Sequence, residues 1–290
     1  MTDALKPNGP ILLVTDLSPR CDRALDRAAL LAHQHGLDLI ALHVIQTAWL
    51  DKVAKPAWRA REQDQQAQAQ KRLAQDLGAQ PIDIKVMVQS GDPAEVIDQV
   101  AREQGCSLIV SGTARDETLG RVLLGGTVQR LTQRATQPVL VVRKRPFKAY
   151  EHVLLATDFS AGSAQALSTA RQFCGHGSLT LYHALDEVAG IYALDQADSD
   201  APIDRARQSL LDFYRANTGE RAPDHLEVIV QAGRAETCLP ELCEQGPFDL
   251  VVLGTGGSAG LVGRAMGSVA QSLLAELRGD VMVVPAQASH

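Results

Sequence analysis

Aromatic residues are scarce in this sequence of 290 residues: Phe, Trp and Tyr together make up 4% of it. Hydrophobic residues still reach 45%, so any core must be built from Leu, Val, Ile and Ala. Cysteines are few and odd in number, and Cys21, Cys106, Cys174, Cys238 and Cys243 are scattered along the chain. That distribution suits reduced thiols better than a disulfide framework, and the cytoplasm is the expected compartment. No apolar run approaches the roughly 20 residues that span a bilayer. The opening stretch Met1–Pro10 is polar and lacks the apolar segment of a signal peptide. Positive charge is not in excess either. A formal net charge of -6 argues against non-specific attraction to nucleic acid or to an anionic membrane.

Several chemical motifs are missing as well. There is no G-x-x-x-x-G-K-[ST], hence no P-loop and no phosphate-gripping lysine. Cys174-x-His176 and Cys238-x-x-x-x-Cys243 do not repeat the close cysteine pairs of structural zinc, and buried small thiols are the expected reading, with no metal site. No Ser-His-Asp order or paired-carboxylate motif can be identified, so no residue is assigned a catalytic role.

What the sequence does have is an internal repeat. Ile11–Ser18 matches Val153–Ser160, Val86–Gly91 matches Val228–Gly233, Ser107–Thr113 matches Asp249–Thr255, and Val139–Val142 matches Val281–Val284, each pair 142 positions apart. Two domains follow, residues 1–146 and 147–290, joined across the basic, Pro-containing stretch Arg143–Ala149. Within the first half, Ile11–Val14, Leu37–Val44, Ile82–Val88, Leu108–Val110 and Val139–Val142 are short Val/Ile/Leu runs. Such runs fit strands buried on both faces of a parallel sheet. Between them, Cys21–His35 carries a helical apolar stripe at Leu25, Ala28, Ala29 and Ala32. Asp92 and Pro93 open a helix as N-cap and first residue, and Thr127–Arg134 supplies the last one. The alternation predicts an α/β fold: two tandem, doubly wound, five-stranded parallel-sheet domains. Asp51–Gln80 and Asp186–Gly219, the latter with an acidic stretch at Asp195–Asp204, read as solvated connections.

The sharpest chemical signal lies in the second half. Asp249-Leu-Val-Val-Leu-Gly254 runs into a loop with glycines at Gly256, Gly257, Gly260 and Gly263, then reaches Gly267-Ser268. Glycines let a backbone approach phosphates closely, and a helix N-terminus at Gly267-Ser268 offers free N–H groups to an anion. A dinucleotide fingerprint would follow the first strand of a βαβ unit, whereas this loop follows the fourth.

The spacing Gly254-x-x-Gly257, nine residues, then Gly267-Ser268 is similar to the ATP-binding loop of the universal stress protein family. The Leu-Val-Val-Leu-Gly-Thr lead-in and the final Val281-Met-Val-Val-Pro285 also resemble that family, and the likeness covers nearly the whole chain in tandem form. It implies an adenine nucleotide alpha hydrolase-like fold. It implies that Thr157 and Asp158 meet the base or ribose end of ATP or a related nucleotide, and that His183 and Ala184 frame adenine. Gly254, Thr255, Gly257, Gly267, Ser268 and Val269 would hold ribose and phosphates, with Mg²⁺ left open as a companion ion. Ala156 stands where the family has proline two residues before the aspartate. The likeness further implies pairing through Val139–Val142 and Val281–Val284 as an internal pseudo-dimer, with homodimerisation beyond that left open.

The first half departs further. Asp16 and Gly112 are kept, but Arg115 replaces the second loop glycine, and Gly125-Gly126 with Thr127 stand at the helix start. Asp16, Gly112, Arg115, Gly126 and Thr127 therefore form the weaker candidate set. Both aspartates have a plainer reading as local caps of the helices that follow, through Ser18 and Ser160. His43 and His183 occupy equivalent strand ends, with a framing role favoured over catalysis. The resulting expectation is a cytosolic stress-response protein that binds an adenine nucleotide mainly in its second half and acts as a sensor with unidentified protein partners. The alternatives are an interaction module without nucleotide and a slow ATPase.

Overall fold

The computed structural model describes residues 6–16, 22–46, 67–68, 71, 84–113, 125–175, 177–185, 201–256 and 266–286. The chain divides into two compact units, Pro7–Lys148 and Ala149–His290. In the first unit the elements are β1 (Ile11–Thr15), α1 (Asp22–His35), β2 (Leu39–Gln46), β3 (Ile84–Gly91), α2 (Pro93–Glu103), β4 (Leu108–Gly112), α3 (Gly126–Arg134) and β5 (Val139–Val142). Its sheet runs β3-β2-β1-β4-β5 with parallel pairings. The second unit has β6 (His152–Ala156), α4 (Ala161–Cys174), β7 (Ser178–Leu185), α5 (Ala201–Thr218), β8 (Glu227–Ala232), α6 (Ala235–Gln245), β9 (Leu250–Gly254), α7 (Ser268–Glu276) and β10 (Asp280–Val284). Its order, β10-β9-β6-β7-β8, is the same walk, again parallel.

The strands form where the sequence has continuous β-branched and Leu runs, because central parallel strands are buried on both faces. All four residues of β5 and all five of β10 are buried. The helices close over them with small side chains. Ala24, Ala28 and Ala32 of α1 are at most 1% exposed, letting the helix lie close to the sheet. Their repeat partners Ala166, Ala170 and Cys174 on α4 are buried too. Among the largest fully buried side chains, Tyr182 and Phe173 are aromatic and the rest are Leu or Ile, the aliphatic core that the composition predicts.

Local signals set the helix ends. The Asp92 carboxylate accepts hydrogen bonds from the amides of Ala94 and Glu95 at 3.1 and 3.2 Å, with Pro93 in the first turn. Arg130 of α3 donates to the same carboxylate at 2.7 Å, tying α2 to α3. The last helix of each unit starts at one place in the repeat: Gly125 caps α3 and Gly267 caps α7.

One expectation needs correction. Part of Asp186–Gly219 is not merely a solvated connection, because α5 buries Ala206, Leu210, Phe213 and Tyr214. Their spacing is the stripe of an amphipathic helix, and α5 packs on the face of β7 and β8. The acidic stretch before it masks that period in the sequence. Its first-half counterpart, Asp51–Gln80, lies outside the described residues except for 67–68 and 71, which are helical.

Candidate functional site

In an open parallel sheet, ligands bind beyond the carboxyl ends of the strands where the strand order reverses. In the second unit that point lies between β6 and β9. From β6 the chain builds outward through β7 and β8, then returns to the other side for β9 and β10. β6 ends at Ala156 and leads into Thr157-Asp158, and the neighbouring β9 ends at Gly254. Thr157-Asp158 and Gly254 thus flank the reversal point. The first unit repeats this with Asp16 directly after Thr15, the last residue of β1, and Gly112 ending β4.

Asp158 is exposed, but its carboxylate is well anchored. Oδ1 accepts the Ser163 hydroxyl at 2.7 Å and the Ser160 amide at 3.0 Å. Ser163 also accepts the Asp158 amide at 3.2 Å, and Ser160 caps α4 by accepting the Ser163 amide at 3.3 Å. The local capping role is therefore present at Asp158, and it holds the side chain at the strand end. Phe159, next in sequence, has φ 64°, a left-handed conformation unusual for a bulky side chain. The Thr157 hydroxyl accepts its amide at 2.9 Å. Its ring lies 4.5 Å from that of His183 and 5.9 Å from that of Phe213 on α5.

His183 and Ala184 are near the end of β7, beside β6. The His183 ring donates from Nδ1 to the Thr157 carbonyl at 2.8 Å, since a carbonyl can only accept. The first unit has the same brace, His43 Nδ1 to the Thr15 carbonyl at 2.9 Å. The equivalence expected of the two histidines holds in space, although the partners are 28 residues apart in one unit and 26 in the other.

Two predicted residues turn their side chains inward. Thr157 is 7% exposed and Thr255 2% exposed. The Thr255 hydroxyl accepts the Ala286 amide at 3.0 Å, and its own amide donates to the Val284 carbonyl at 2.8 Å. Both hydroxyls are therefore engaged within the fold, Thr157 with the Phe159 amide and Thr255 with the Ala286 amide.

Two of the described loop glycines, Gly254 and Gly267, differ in what the fold asks of them. A Cβ at Gly254 would stand 2.5 Å from the carbonyl oxygen and 2.7 Å from the amide nitrogen of the first turn of α4, at Gly162 and Ser163. A Cβ at Gly162 would in turn strike the Thr255 carbonyl. Strand and helix thus touch backbone to backbone. Gly267 has φ -61° and nothing within 4 Å of a built Cβ, so packing does not require glycine there. Among the described residues no side chain caps α7, and Ser268 and Val269 are exposed in its first turn.

In the first unit, Asp16 is exposed after β1, and Gly126 and Thr127 are the first two residues of α3. Gly112 has room for a side chain, the nearest neighbour of a built Cβ being Ala24 Cβ at 3.8 Å. Arg115 and Gly257 lie outside the described residues. Sequence reading missed Gly162, Ser163 and Phe159. A helical glycine, costly without a packing reason, was the available signal for the first.

Two doubly wound α/β units, each with an aspartate after its first strand and a glycine helix start after its fourth, define one domain type repeated in tandem. The universal stress protein family profile matches the chain twice, over residues 7–143 and 149–285, and the chain belongs to that family. It is 29% identical over 287 residues to a universal stress protein of Mycolicibacterium smegmatis, covering 94% of this chain and 96% of that one. Among solved structures, a universal stress protein from Archaeoglobus fulgidus matches with a TM-score of 0.67 at 19% identity, covering 97% of this chain and 98% of that one. A protein of unknown function from Pseudomonas aeruginosa matches at 0.68 and 20% identity, covering 96% and 93%. These two structures share the fold.

Proposed function

We propose that the second unit binds ATP or another adenine nucleotide, and that the chain serves as a nucleotide-responsive regulatory protein in the stress response. The observation that carries this reading is Gly267: a glycine that packing does not require, at a start of α7 that no described side chain caps. The phosphates sit on the first-turn amides of α7 with the Ser268 hydroxyl. The base and ribose lie toward Asp158 and the backbone of His183-Ala184.

One nucleotide per chain is expected. At the repeat positions of Gly162, Ser163, Gly257 and Ser268 the first half has Arg20, Cys21, Arg115 and Gly126, so neither the close strand–helix approach nor the serine-anchored aspartate is encoded there.

The test is to denature the purified protein, identify any released nucleotide by chromatography, and titrate ATP with Mg²⁺ into the emptied protein by calorimetry. Gly267→Ala should weaken ATP at least about tenfold. On capping grounds it should cost at most ~1 kcal/mol of stability. A stoichiometry of two would refute the asymmetry between halves. No release and no heat at millimolar ATP would remove the nucleotide reading and leave a protein-interaction module.

A further inference from the structure

We infer that Ser163 is a positioning residue of the nucleotide site, its buried hydroxyl fixing the Asp158 carboxylate in the orientation that meets the ligand. The inference rests on the reading that the second unit binds an adenine nucleotide with Asp158 at the base or ribose end.

Ser163 is 3% exposed, in the first turn of α4. A serine here has an ordinary task, capping the helix, but Ser160 already performs it by accepting the Ser163 amide. The Ser163 hydroxyl is directed elsewhere. It donates to Asp158 Oδ1 at 2.7 Å and accepts the Asp158 amide at 3.2 Å. The two bonds close a ring around a single residue, holding its backbone and its carboxylate together. The Ser160 amide gives Oδ1 a second donor at 3.0 Å, so the rotation of an exposed carboxylate at the strand end is restrained from two sides. An exposed Asp side chain otherwise samples several rotamers, and ordering it on binding weakens affinity. Here the ordering is present before any ligand arrives.

The placement of Ser163 also depends on the close approach described above. Its amide nitrogen is one of the atoms a Cβ at Gly254 would strike, so the contact between β9 and α4 seats the serine beside Asp158. In the first half the corresponding residue is Cys21, whose thiol is a weak donor.

The experiment measures ATP and inorganic tripolyphosphate binding by calorimetry for the full chain, Ser163→Ala, Ser163→Cys, Asp158→Ala and the Ser163→Ala/Asp158→Ala double variant, with melting temperatures alongside. Ser163→Cys is close to isosteric and secures the test should the alanine variant fold poorly. Ser163→Ala and Ser163→Cys are expected to weaken ATP roughly two- to tenfold, the cost of ordering one side chain on binding. Tripolyphosphate, which lacks the base and ribose, should bind all variants alike. In the Asp158→Ala background the serine change should have no further effect on ATP, because its influence passes through the carboxylate.

Unchanged ATP affinity in both folded serine variants would overturn the inference while leaving the nucleotide reading intact. So would losses that add in full in the double variant, which mark a general structural role. Failure of the parent protein to bind ATP would overturn the nucleotide reading, and the inference with it.

Discussion

Gly254 and Gly112 hold the same position in the two halves of the repeat, yet replacing each by alanine should have opposite effects. At Gly112 the new Cβ meets only Ala24 Cβ, at 3.8 Å, an ordinary contact. The substitution also narrows the freedom of the unfolded chain, which stabilises by about 0.4–1 kcal/mol where the backbone tolerates it. At Gly254 the same entropic gain is present, but the Cβ would lie 2.5 Å from the Gly162 oxygen and 2.7 Å from the Ser163 nitrogen. Both are backbone atoms, so no rotamer change relieves the overlap. Restoring a normal separation of about 3.5 Å requires β9 and α4 to part by roughly 1 Å. Overpacking of this kind costs about 1–3 kcal/mol, and a backbone clash belongs at the upper end. The net expectation is a loss near ~2 kcal/mol, or on the order of 4–8 °C in melting temperature for a unit of this size. Calorimetric melting of both variants reads the two changes. Equal stability of Gly254→Ala and parent, or equal losses in both variants, would refute the reasoning. Gly254→Ala would also displace Ser163, so loss of nucleotide binding in that variant would not demonstrate a ligand contact, and Gly267→Ala is the cleaner probe.

Two further outcomes follow from single residues. Asp92→Ala should destabilise the first unit by about 1 kcal/mol through loss of the N-cap. Burial pushes the Asp92 carboxyl up, but hydrogen bonds and charge from Arg130 and bonds from the Glu95 and Ala94 amides outweigh it and hold it below the ordinary aspartate value of 3.8. A depressed folded value means the stabilisation is present above that pH and fades as acid titrates the folded carboxylate. Urea unfolding of parent and variant should therefore converge as the pH falls below 3.8, and a gap that persisted or widened there would contradict the assignment. At Cys106, burial raises the thiol to about 11 against a smaller downward pull from Lys85, leaving roughly one thiolate in a thousand at pH 8. Iodoacetamide followed by mass spectrometry of the native protein should mark the half-exposed Cys238 and Cys243 well before Cys106; comparable rates would show that Cys106 is not sequestered.

Features governed by local chemistry were legible in the sequence. The repeat, the strands, the Asp92–Pro93 helix start and the Gly267-Ser268 helix start each carry their signal within a few residues, and the structure has them in place. What was hidden depends on residues far apart in the chain. Gly254 reads as a loop glycine, but its fit against Gly162 appears only when β9 and α4 are neighbours. Thr157 and Thr255 look like ligand donors until burial turns their hydroxyls to Phe159 and Ala286. The packing of α5 was obscured by the acidic residues before it, and Ser163 had no motif of its own.

The histidine brace shared by the two units extends the work of the backbone ladder. His43 and His183 each donate a hydrogen bond from Nδ1 to a threonine carbonyl at the end of the neighbouring strand, so a side chain supplies a rung where main-chain pairing runs out. Each pair of strands is in effect one bond longer at its carboxyl end than its backbone alone would make it.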